Sequence, residues 1–183
     1  MCVRLISIGG LRVLALSWPE GIALSEALAR EVRGAGYVPD IIVAISRGGL
    51  VPARIISDVL GVDDIITLGI KHWRVAERRA QRPVLYHVIE AGAVRDKRVL
   101  VVDEVADTGS TLALAKSLVE MLGALEVKTA VIHLKATSSF APDFYAERLE
   151  DWVWVAYPWS RCEDVRELRR RGMDVSGLGG EQC

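Results

Sequence analysis

Short apolar runs alternate along this chain with longer segments whose apolar residues recur at helical spacing. The runs predict buried strands at 41–45, 65–70, 98–103 and 127–134, and the intervening segments predict helices at 17–34, 50–60 and 110–122. Uninterrupted apolar strands are typical of a parallel sheet that helices cover on both faces. We therefore expect a single α/β domain over residues 1–183.

Local signals mark the ends of these helices. Ser17 can cap the first helix, Pro19 suits its first turn, and Glu20 completes a capping box. The second helix has Pro52 in its first turn and Gly61 just past its end. The buried face expected of the first helix consists of Ile22, Leu24, Leu28 and Val32.

Composition excludes several classes of protein. Hydrophobic residues make up 51% of the 183 residues and the mean hydropathy is +0.26, which is too apolar for a disordered chain. The net charge is −1, so no global field draws the protein toward nucleic acid or anionic membranes. No run of 18 apolar residues predicts a membrane span, and the N-terminal segment lacks the features of a signal peptide.

The cysteines and histidines predict neither a disulfide framework nor a metal cluster. Cys2, Cys162 and Cys183 are odd in number and widely spaced, which fits no zinc pattern and favours a reducing cytoplasm. The three histidines are far apart in sequence, and the last of them is expected inside a strand: His72, His87 and His133.

One run carries most of the chemistry. Residues 99–111 read Val-Leu-Val-Val-Asp-Glu-Val-Ala-Asp-Thr-Gly-Ser-Thr, so a buried strand delivers Asp103 and Glu104 before a turn of small residues opens a helix. Ligands of open parallel sheets lie beyond the carboxyl ends of the strands, which places both acids at the ligand crevice. The turn 107–111 offers backbone amides and hydroxyls at a helix N-terminus, an arrangement that binds phosphate.

The acidic pair would repel a bare phosphate, so ribose hydroxyls or Mg²⁺ suit it better. The competing interpretations are a pair of solvated loop acids and, for Thr108, Ser110 and Thr111, plain helix capping. The phosphate loop of nucleotide kinases is excluded, because its glycine and lysine spacing is absent.

A second turn follows the strand at 41–45 and reads Ser46-Arg47-Gly48-Gly49. Its two glycines permit close approach of the backbone to a ligand, and Arg47 brings a planar cation suited to phosphate oxygens. The alternative is a helix-entry turn whose arginine is merely exposed.

Together these runs resemble the signatures of type I phosphoribosyltransferases. Residues 101–111 are similar to the family's phosphoribosyl-diphosphate (PRPP) motif, and residues 46–49 to its pyrophosphate loop. With the aromatic segment 152–159, the resemblance is nearest to 6-oxopurine phosphoribosyltransferases of the xanthine-guanine and hypoxanthine-guanine kind. It covers residues 17–160 and implies the type I fold, a mainly parallel sheet flanked by helices. The implied parts are a core (17–135), a small hood (136–160 with the N-terminal segment) and a tail (161–183).

The resemblance also implies roles at the PRPP site. Asp103 and Glu104 would hold the ribose hydroxyls and shape the water shell of Mg²⁺, the implied cofactor. Asp107 would take the N7 proton of the base as general base. The residues implied to bind the 5′-phosphate are Asp107, Thr108, Gly109, Ser110 and Thr111, and those for pyrophosphate are Ser46, Arg47, Gly48 and Gly49. The Ser46–Arg47 peptide is implied to be cis.

For the base, the resemblance implies Lys135, Trp154 and Val155. Lys135 would donate to the 6-oxo group, because an ammonium has only donors and therefore matches a carbonyl and mismatches the amine of adenine. The alternative is an ordinary surface lysine. Trp154 would stack on the base while the backbone of Val155 reads its edge. Trp152 competes with Trp154, since one register shift exchanges them, and both tryptophans could instead belong to the core.

Three further features stay open. Ser160 stands where the family commonly has an acid that helps hold magnesium, with Glu163, Asp164 or water as substitutes. The basic run 71–82, which includes His72, resembles in position the mobile loop that closes over the reaction centre, or is simply a solvated loop. The arginine-rich tail is interleaved with acids and predicts a solvated helix with i,i+4 ion pairs.

The implied activity joins guanine, hypoxanthine or xanthine to PRPP and releases pyrophosphate and a nucleoside monophosphate. The partners are therefore small molecules, in a cytoplasmic homo-oligomer, since relatives are usually dimers or tetramers. Two alternatives remain: a non-catalytic regulator that senses PRPP or a nucleotide, and a phosphoribosyltransferase for another base such as adenine or a pyrimidine.

Overall fold

The computed structural model of the protein describes residues 4–72, 83–178 and 183. None of the helices in these ranges is long and apolar enough to cross a membrane. The elements in chain order are β1 (Arg4–Ile8), β2 (Leu11–Ala15), α1 (Trp18–Gly34), β3 (Ile41–Ser46), α2 (Leu50–Leu60), β4 (Ile65–His72), β5 (Pro83–His87), α3 (Ala91–Val94), β6 (Arg98–Ala106), α4 (Ser110–Met121), β7 (Glu126–Lys135), β8 (Phe144–Leu149), β9 (Trp154–Ala156), α5 (Arg161–Arg170) and a 3-10 turn (Ser176–Leu178).

The larger of two compact units, Leu24–Glu150, is built on a six-stranded sheet in the order β5-β4-β3-β6-β7-β8. Every neighbouring pair is parallel except β4 and β5. Helix α2 packs against β3, β4 and β6, and α4 packs against β4, β5, β6 and β7. The predicted fold class, a mainly parallel sheet flanked by helices, is therefore confirmed.

The central strands are buried on both faces. All five residues from Ile41 to Ile45 are buried although successive side chains point to opposite faces, and the same holds for 99–102 in β6. On one face the odd-numbered residues of β3 and β6 pack against Leu112, Ala115 and Val119 of α4. This continuous burial explains why β3 and β6 could be predicted from apolar runs alone.

The predicted capping box at the start of α1 is confirmed. The amide of Ser17 donates to Glu20 Oε2 at 2.8 Å and the amide of Glu20 donates to Ser17 Oγ at 3.4 Å. The hydrogen bonds that the amide and the hydroxyl of Ser17 donate to the Glu20 carboxylate lower the pKa of Glu20. The expected buried face was wrong at Ile22, which is 40% exposed, whereas Gly21 is buried because the ring of Trp159 lies against it.

The smaller unit consists of Met1–Ala23 and Asp151–Cys183. Its three-stranded sheet has the order β1-β2-β9, with β2 and β9 parallel. The tail helix α5 packs into a small core, where Val165 and Leu168 are fully buried. The expectation of a helix solvated all round is therefore wrong, although Arg171 just past its end pairs with Glu167 at 2.7 Å at i,i+4 spacing.

The division into core, hood and tail stays a prediction. In the structure residues 136–150, expected in the hood, belong to the larger unit, and the tail 161–178 belongs to the smaller one. The apolar pattern could not place β8, because this edge strand carries exposed and charged residues between its apolar ones.

Cys162 and Cys183 form a disulfide with their Cα atoms 5.1 Å apart, which corrects the expectation of a chain without a disulfide framework. Sequence spacing gave no sign of the pairing, because only the tertiary structure returns Cys183 to α5. The bond closes a loop of 21 residues, and the tail residues that pack into the small core, such as Val165, Leu168 and Val175, lie within this loop.

We expect Cys183→Ser to lower the free energy of unfolding by about 3 kcal/mol, because a crosslink of this span restricts the unfolded chain. For a chain of this size the loss corresponds to a decrease in Tm of about 6–12 °C. Thermal unfolding with and without dithiothreitol measures it. Reductant should bring the wild type to the Tm of the variant and leave the variant unchanged; equal Tm values under oxidising conditions would contradict the prediction.

Candidate active site

Three neighbouring parallel strands bring their carboxyl ends to one edge of the larger unit. β3 ends at Ser46, β6 at Ala106 and β7 at Lys135, and the sheet places these strands side by side. Crevices beyond such strand ends are where parallel sheets bind ligands. The turns that follow the strands therefore form the candidate site.

The acidic pair lies at the end of β6. Asp103 is 9% exposed, and its Oδ1 accepts a hydrogen bond from the Glu104 amide at 2.9 Å. Burial, and then the charge of Glu104, raise the pKa of Asp103 well above its usual range. Such burial rules out a solvated loop acid at this position.

The predicted pyrophosphate loop packs directly on this pair. The Ser46–Arg47 peptide is cis, as the resemblance implied. A Cβ on Gly48 would overlap the carboxylate of Glu104, and a Cβ on Gly49 would lie 2.8 Å from the carbonyl oxygen of Ile45. Both glycines are thus required by close packing, and the loop leaves Arg47 exposed at the surface.

The predicted phosphate-binding turn also depends on a glycine. Gly109 has a φ of +79° and immediately precedes α4, and a Cβ there would lie 2.5 Å from Ser138 Oγ. The hydroxyls of Thr108 and Ser110 are 2.8 Å apart, and the Ser110 amide donates to Thr108 Oγ1 at 3.4 Å. The N-cap position of α4 is Gly109, which makes no side-chain capping hydrogen bond, so Thr108 accepts a hydrogen bond within the turn without being the helix cap; Thr111 lies in the first turn of α4.

A cation and an anion meet where β6 and β7 end, because Asp107 directly follows β6 and Lys135 is the last residue of β7. Lys135 Nζ lies 3.0 Å from Asp107 Oδ2, and the lysine side chain is only 6% exposed. Thr137 Oγ1 lies 2.9 Å from the Asp107 carbonyl oxygen and 3.2 Å from Oδ1. Burial excludes the alternative of an ordinary surface lysine, and the pair presents a donor and an acceptor side by side.

Sequence reasoning missed the segment that supports the phosphate-binding turn. The amide and hydroxyl of Ser139 both donate to the Thr108 carbonyl oxygen, at 3.1 and 3.0 Å, and Ser138 and Phe140 enclose Gly109. The available signal was the run of hydroxyl residues that directly follows Lys135, at the carboxyl end of a predicted strand.

The predicted base-stacking residues lie in the smaller unit, on β9. Trp154 is opposite Val13 of β2 and packs on the small core, while Trp152 is 44% exposed. The Arg171 guanidinium lies 5.4 Å from the centre of the Trp154 ring. The roles of Trp154 and of the Val155 backbone at a base stay predictions.

Asp164, one of the substitutes considered for the missing acid after Trp159, is engaged within the smaller unit. It is buried, and it accepts hydrogen bonds from Trp154 Nε1 at 2.9 Å and from Ser160 Oγ at 3.2 Å. Glu163, the other substitute, is exposed. In the part of the chain that the structure describes, no three His, Cys, Asp or Glu side chains form a metal-binding group. Most of the basic run, residues 73–82, lies outside the described residues.

His133 is fully buried on β7, two residues before Lys135, with Nε2 3.4 Å from Glu147 Oε2. Burial, and then the charge of Lys135, lower the pKa of His133 to about 4. An unfolded histidine titrates near 6.5, so below that pH the unfolded chain takes up a proton that the folded chain does not.

We therefore expect the free energy of unfolding to fall between about pH 6.5 and 4, by up to about 3 kcal/mol from this residue. His133→Leu should flatten this part of the pH profile, because it removes the group whose pKa is lowered on folding. Urea unfolding of both proteins at pH 7.5, 5.5 and 4.5 measures the difference. Parallel profiles for wild type and His133→Leu would contradict the prediction.

Comparison with known proteins gives a consistent picture. A family model described as phosphoribosyl transferase domain matches residues 16–161. A xanthine-guanine phosphoribosyltransferase of Cereibacter sphaeroides is 30% identical over 150 residues, which cover 79% of this chain and 84% of that protein.

Two solved structures are also similar. A purine phosphoribosyltransferase from Pyrococcus horikoshii has a TM-score of 0.69 at 36% identity, covering 80% of this chain and 93% of that one. A hypothetical protein from Neisseria gonorrhoeae with bound ppGpp has a TM-score of 0.71 at 26% identity, covering 86% of this chain and 94% of that one.

Proposed function

The chain belongs to the phosphoribosyl transferase domain family and is a phosphoribosyltransferase, and from this premise we propose that it is a purine salvage enzyme. It transfers the phosphoribosyl group of PRPP to guanine, hypoxanthine or xanthine. The products are a nucleoside 5′-monophosphate and pyrophosphate. The sequence resemblance supports this substrate class, as do two relatives that are named as purine and xanthine-guanine phosphoribosyltransferases.

One observation carries the proposal, the ion pair between the buried Lys135 and the half-exposed Asp107, with Nζ and Oδ2 3.0 Å apart. A 6-oxopurine offers a carbonyl oxygen and an N7 proton on neighbouring positions of one edge. The ammonium of Lys135 has only donors and suits the carbonyl, while the carboxylate of Asp107 suits the proton. Adenine presents an amine where the ammonium requires an acceptor, so it fits this pair poorly.

The remaining turns suit PRPP. The turn from Asp107 to Thr111 would bind the 5′-phosphate through amides and hydroxyls, and Ser46–Gly49 would bind the pyrophosphate, with Arg47 as its cation. Asp103 and Glu104 would accept hydrogen bonds from the ribose hydroxyls. A purine nitrogen then bonds to C1′ as the C1′–oxygen bond breaks, and pyrophosphate leaves with the electron pair.

The transition state of this displacement has the character of a ribosyl oxocarbenium ion, so charge stabilisation matters more than a covalent nucleophile. Asp107 would receive the proton that the base loses. Its neighbours Lys135 and Thr137 hold the carboxylate in a fixed orientation, since they approach different carboxylate oxygens.

Magnesium fits the acidic pair. Two adjacent carboxylates, one with a pKa raised by burial and by its neighbour, are oxygen ligands whose charge a divalent cation offsets. Two protein carboxylates do not complete a coordination shell, so PRPP oxygens and waters would supply the rest. When bound, the ion would neutralise the charge that develops on the departing pyrophosphate.

A panel of bases incubated with PRPP and Mg²⁺ tests the proposal. We expect nucleoside monophosphate from at least one of guanine, hypoxanthine and xanthine, and a kcat/KM for adenine lower by at least about 100-fold. Adenine or a pyrimidine as the preferred base would identify a different phosphoribosyltransferase.

A non-catalytic nucleotide sensor is the second candidate, favoured only by the ppGpp that one structural relative binds. Tight ppGpp binding, with no release of pyrophosphate from PRPP in the presence of any base, would support it, and a DNA gel shift would extend it to a regulator. Purine turnover that ppGpp merely inhibits would support the enzyme.

We further propose a cytoplasmic homo-oligomer, a dimer or tetramer, whose substrates are small molecules. Phosphorylated substrates are retained inside cells, which supports the location, whereas the Cys162–Cys183 disulfide is uncommon in a reducing compartment. Sedimentation analysis tests the oligomeric state. Thiol titration of protein taken directly from cells tests the location, because it shows whether Cys162 and Cys183 are reduced there.

A further inference from the structure

Tyr86 contacts the pyrophosphate loop from the edge of the sheet. It lies on β5, which is separated from β3 by β4. Its hydroxyl oxygen is 3.0 Å from Ser46 Oγ and donates to the Ser46 carbonyl oxygen at 3.3 Å. That carbonyl belongs to the peptide that connects Ser46 to Arg47, so Tyr86 touches the backbone that directs the arginine.

From this contact we propose that Tyr86 is a positioning residue, which holds the loop Ser46–Gly49 in the conformation that binds the diphosphate of PRPP. The inference rests on the proposed function, because the loop's ligand is part of that proposal. Nothing in the sequence pointed to Tyr86. Its contact with Ser46 joins β5, an antiparallel strand at the edge of the sheet, to β3, which lies two positions away in the sheet.

A glycine makes this reach possible. Ser46, Gly69 and His87 are in register across β3, β4 and β5, and Tyr86 is adjacent to the last of them. A Cβ on Gly69 would lie 2.8 Å from Tyr86 Cε2 and Cζ and 2.5 Å from His87 Cβ. The tyrosine ring therefore lies over the glycine, and any side chain at position 69 would displace it.

The hydroxyl completes a short hydrogen-bond network around Ser46. Ser46 Oγ donates to the Leu68 carbonyl oxygen at 3.3 Å, so the single proton of the Tyr86 hydroxyl is shared between Ser46 Oγ and the Ser46 carbonyl oxygen. The loop's first residue is thereby connected to both β4 and β5. Lys71 Nζ lies 4.6 Å from the centre of the Tyr86 ring and covers part of the exposed ring.

Tyr86→Phe isolates the contribution of the hydroxyl, because the ring over Gly69 is kept. We expect KM for PRPP, and KM for pyrophosphate in the reverse reaction, to rise about 3- to 10-fold, the effect of losing one hydrogen bond. KM for the base should stay at its wild-type value, and Tm should fall by no more than the few degrees that one hydrogen bond contributes. Tyr145→Phe is the matched control, a partly exposed tyrosine on β8 at the opposite edge of the sheet.

The outcomes separate this inference from the proposed function. If the wild type formed no product with any base, the proposed function would be refuted. The inference about Tyr86 could still be tested, because calorimetry measures the affinity of the wild type and of Tyr86→Phe for PRPP without turnover. Equal PRPP affinity in Tyr86→Phe and Tyr145→Phe would overturn the inference. A similar rise in KM for PRPP and in KM for the base, together with a Tm lowered by more than those few degrees, would overturn it as well, because it would indicate general destabilisation.

A second variant tests the route through the loop. Ser46→Ala removes one partner of the Tyr86 hydroxyl, so the double variant should raise KM for PRPP by less than the product of the single effects. Strictly multiplicative effects would mean that Tyr86 acts independently of Ser46, against the proposal.

Discussion

Asp107→Asn is expected to lower kcat by about 10²- to 10⁴-fold while the KM values for PRPP and base change little. Asparagine keeps the size of the side chain, and its amide oxygen can still accept a hydrogen bond from Lys135 or Thr137. It cannot, however, accept the proton that the base loses from N7, so the decrease in rate falls on the chemical step. Initial rates at saturating PRPP and Mg²⁺ measure the effect.

The control for this variant is Asp58→Asn. Asp58 is exposed on α2 and pairs with Arg54 at 3.2 Å, so its replacement removes a carboxylate without touching the site. Urea unfolding should accompany the kinetics, because Asp107→Asn leaves the buried ammonium of Lys135 without its anion. Unchanged turnover in Asp107→Asn would remove Asp107 from the role of general base.

Lys135→Met is expected to reduce kcat/KM for the preferred 6-oxopurine by about 10²- to 10³-fold. Methionine fills a similar volume, yet it removes the only group in this pair that donates to the carbonyl of the base. Activity with adenine should not fall in parallel, so the preference for 6-oxopurines over adenine should shrink. The base panel used for the wild type measures both changes.

Lys97→Met is the matched control. Lys97 immediately precedes β6, at the end of the strand opposite to the acidic pair, and lies 3.9 Å from Asp64. Its replacement should leave the preference among bases unchanged. If Lys135→Met lowers the rates with adenine and with 6-oxopurines by the same factor, Lys135 contributes to folding or to PRPP binding and does not discriminate between bases.

The sequence predicted the inner part of the larger unit well because burial there is continuous. Strand β3 is apolar from Ile41 to Ile45, and α2 has a proline in its first turn and a glycine just past its end, two residues with defined backbone preferences. The runs 46–49 and 101–111 were informative for a related reason. Each follows an inner strand directly, so its place at the carboxyl edge of the sheet is determined by local order.

The peripheral elements could not be predicted in the same way. The strands β5 and β8 are partly exposed, and their weaker patterns are also compatible with loops. The burial of α5 likewise depends on contacts with β1, β2 and β9 that its many charges conceal.

By itself, the sequence determined the fold class, the family and the turns that follow β3 and β6, since these depend on local periodicity and on residues close together in the chain. Only the tertiary structure decided the ion pair between Asp107 and Lys135, the Cys162–Cys183 disulfide and the contact of Tyr86 with Ser46. The partners in these contacts are 28, 21 and 40 residues apart. The ion pair and the tyrosine contact depend on strand order and register, and the disulfide depends on the return of Cys183 to α5; no local pattern of side chains encodes either.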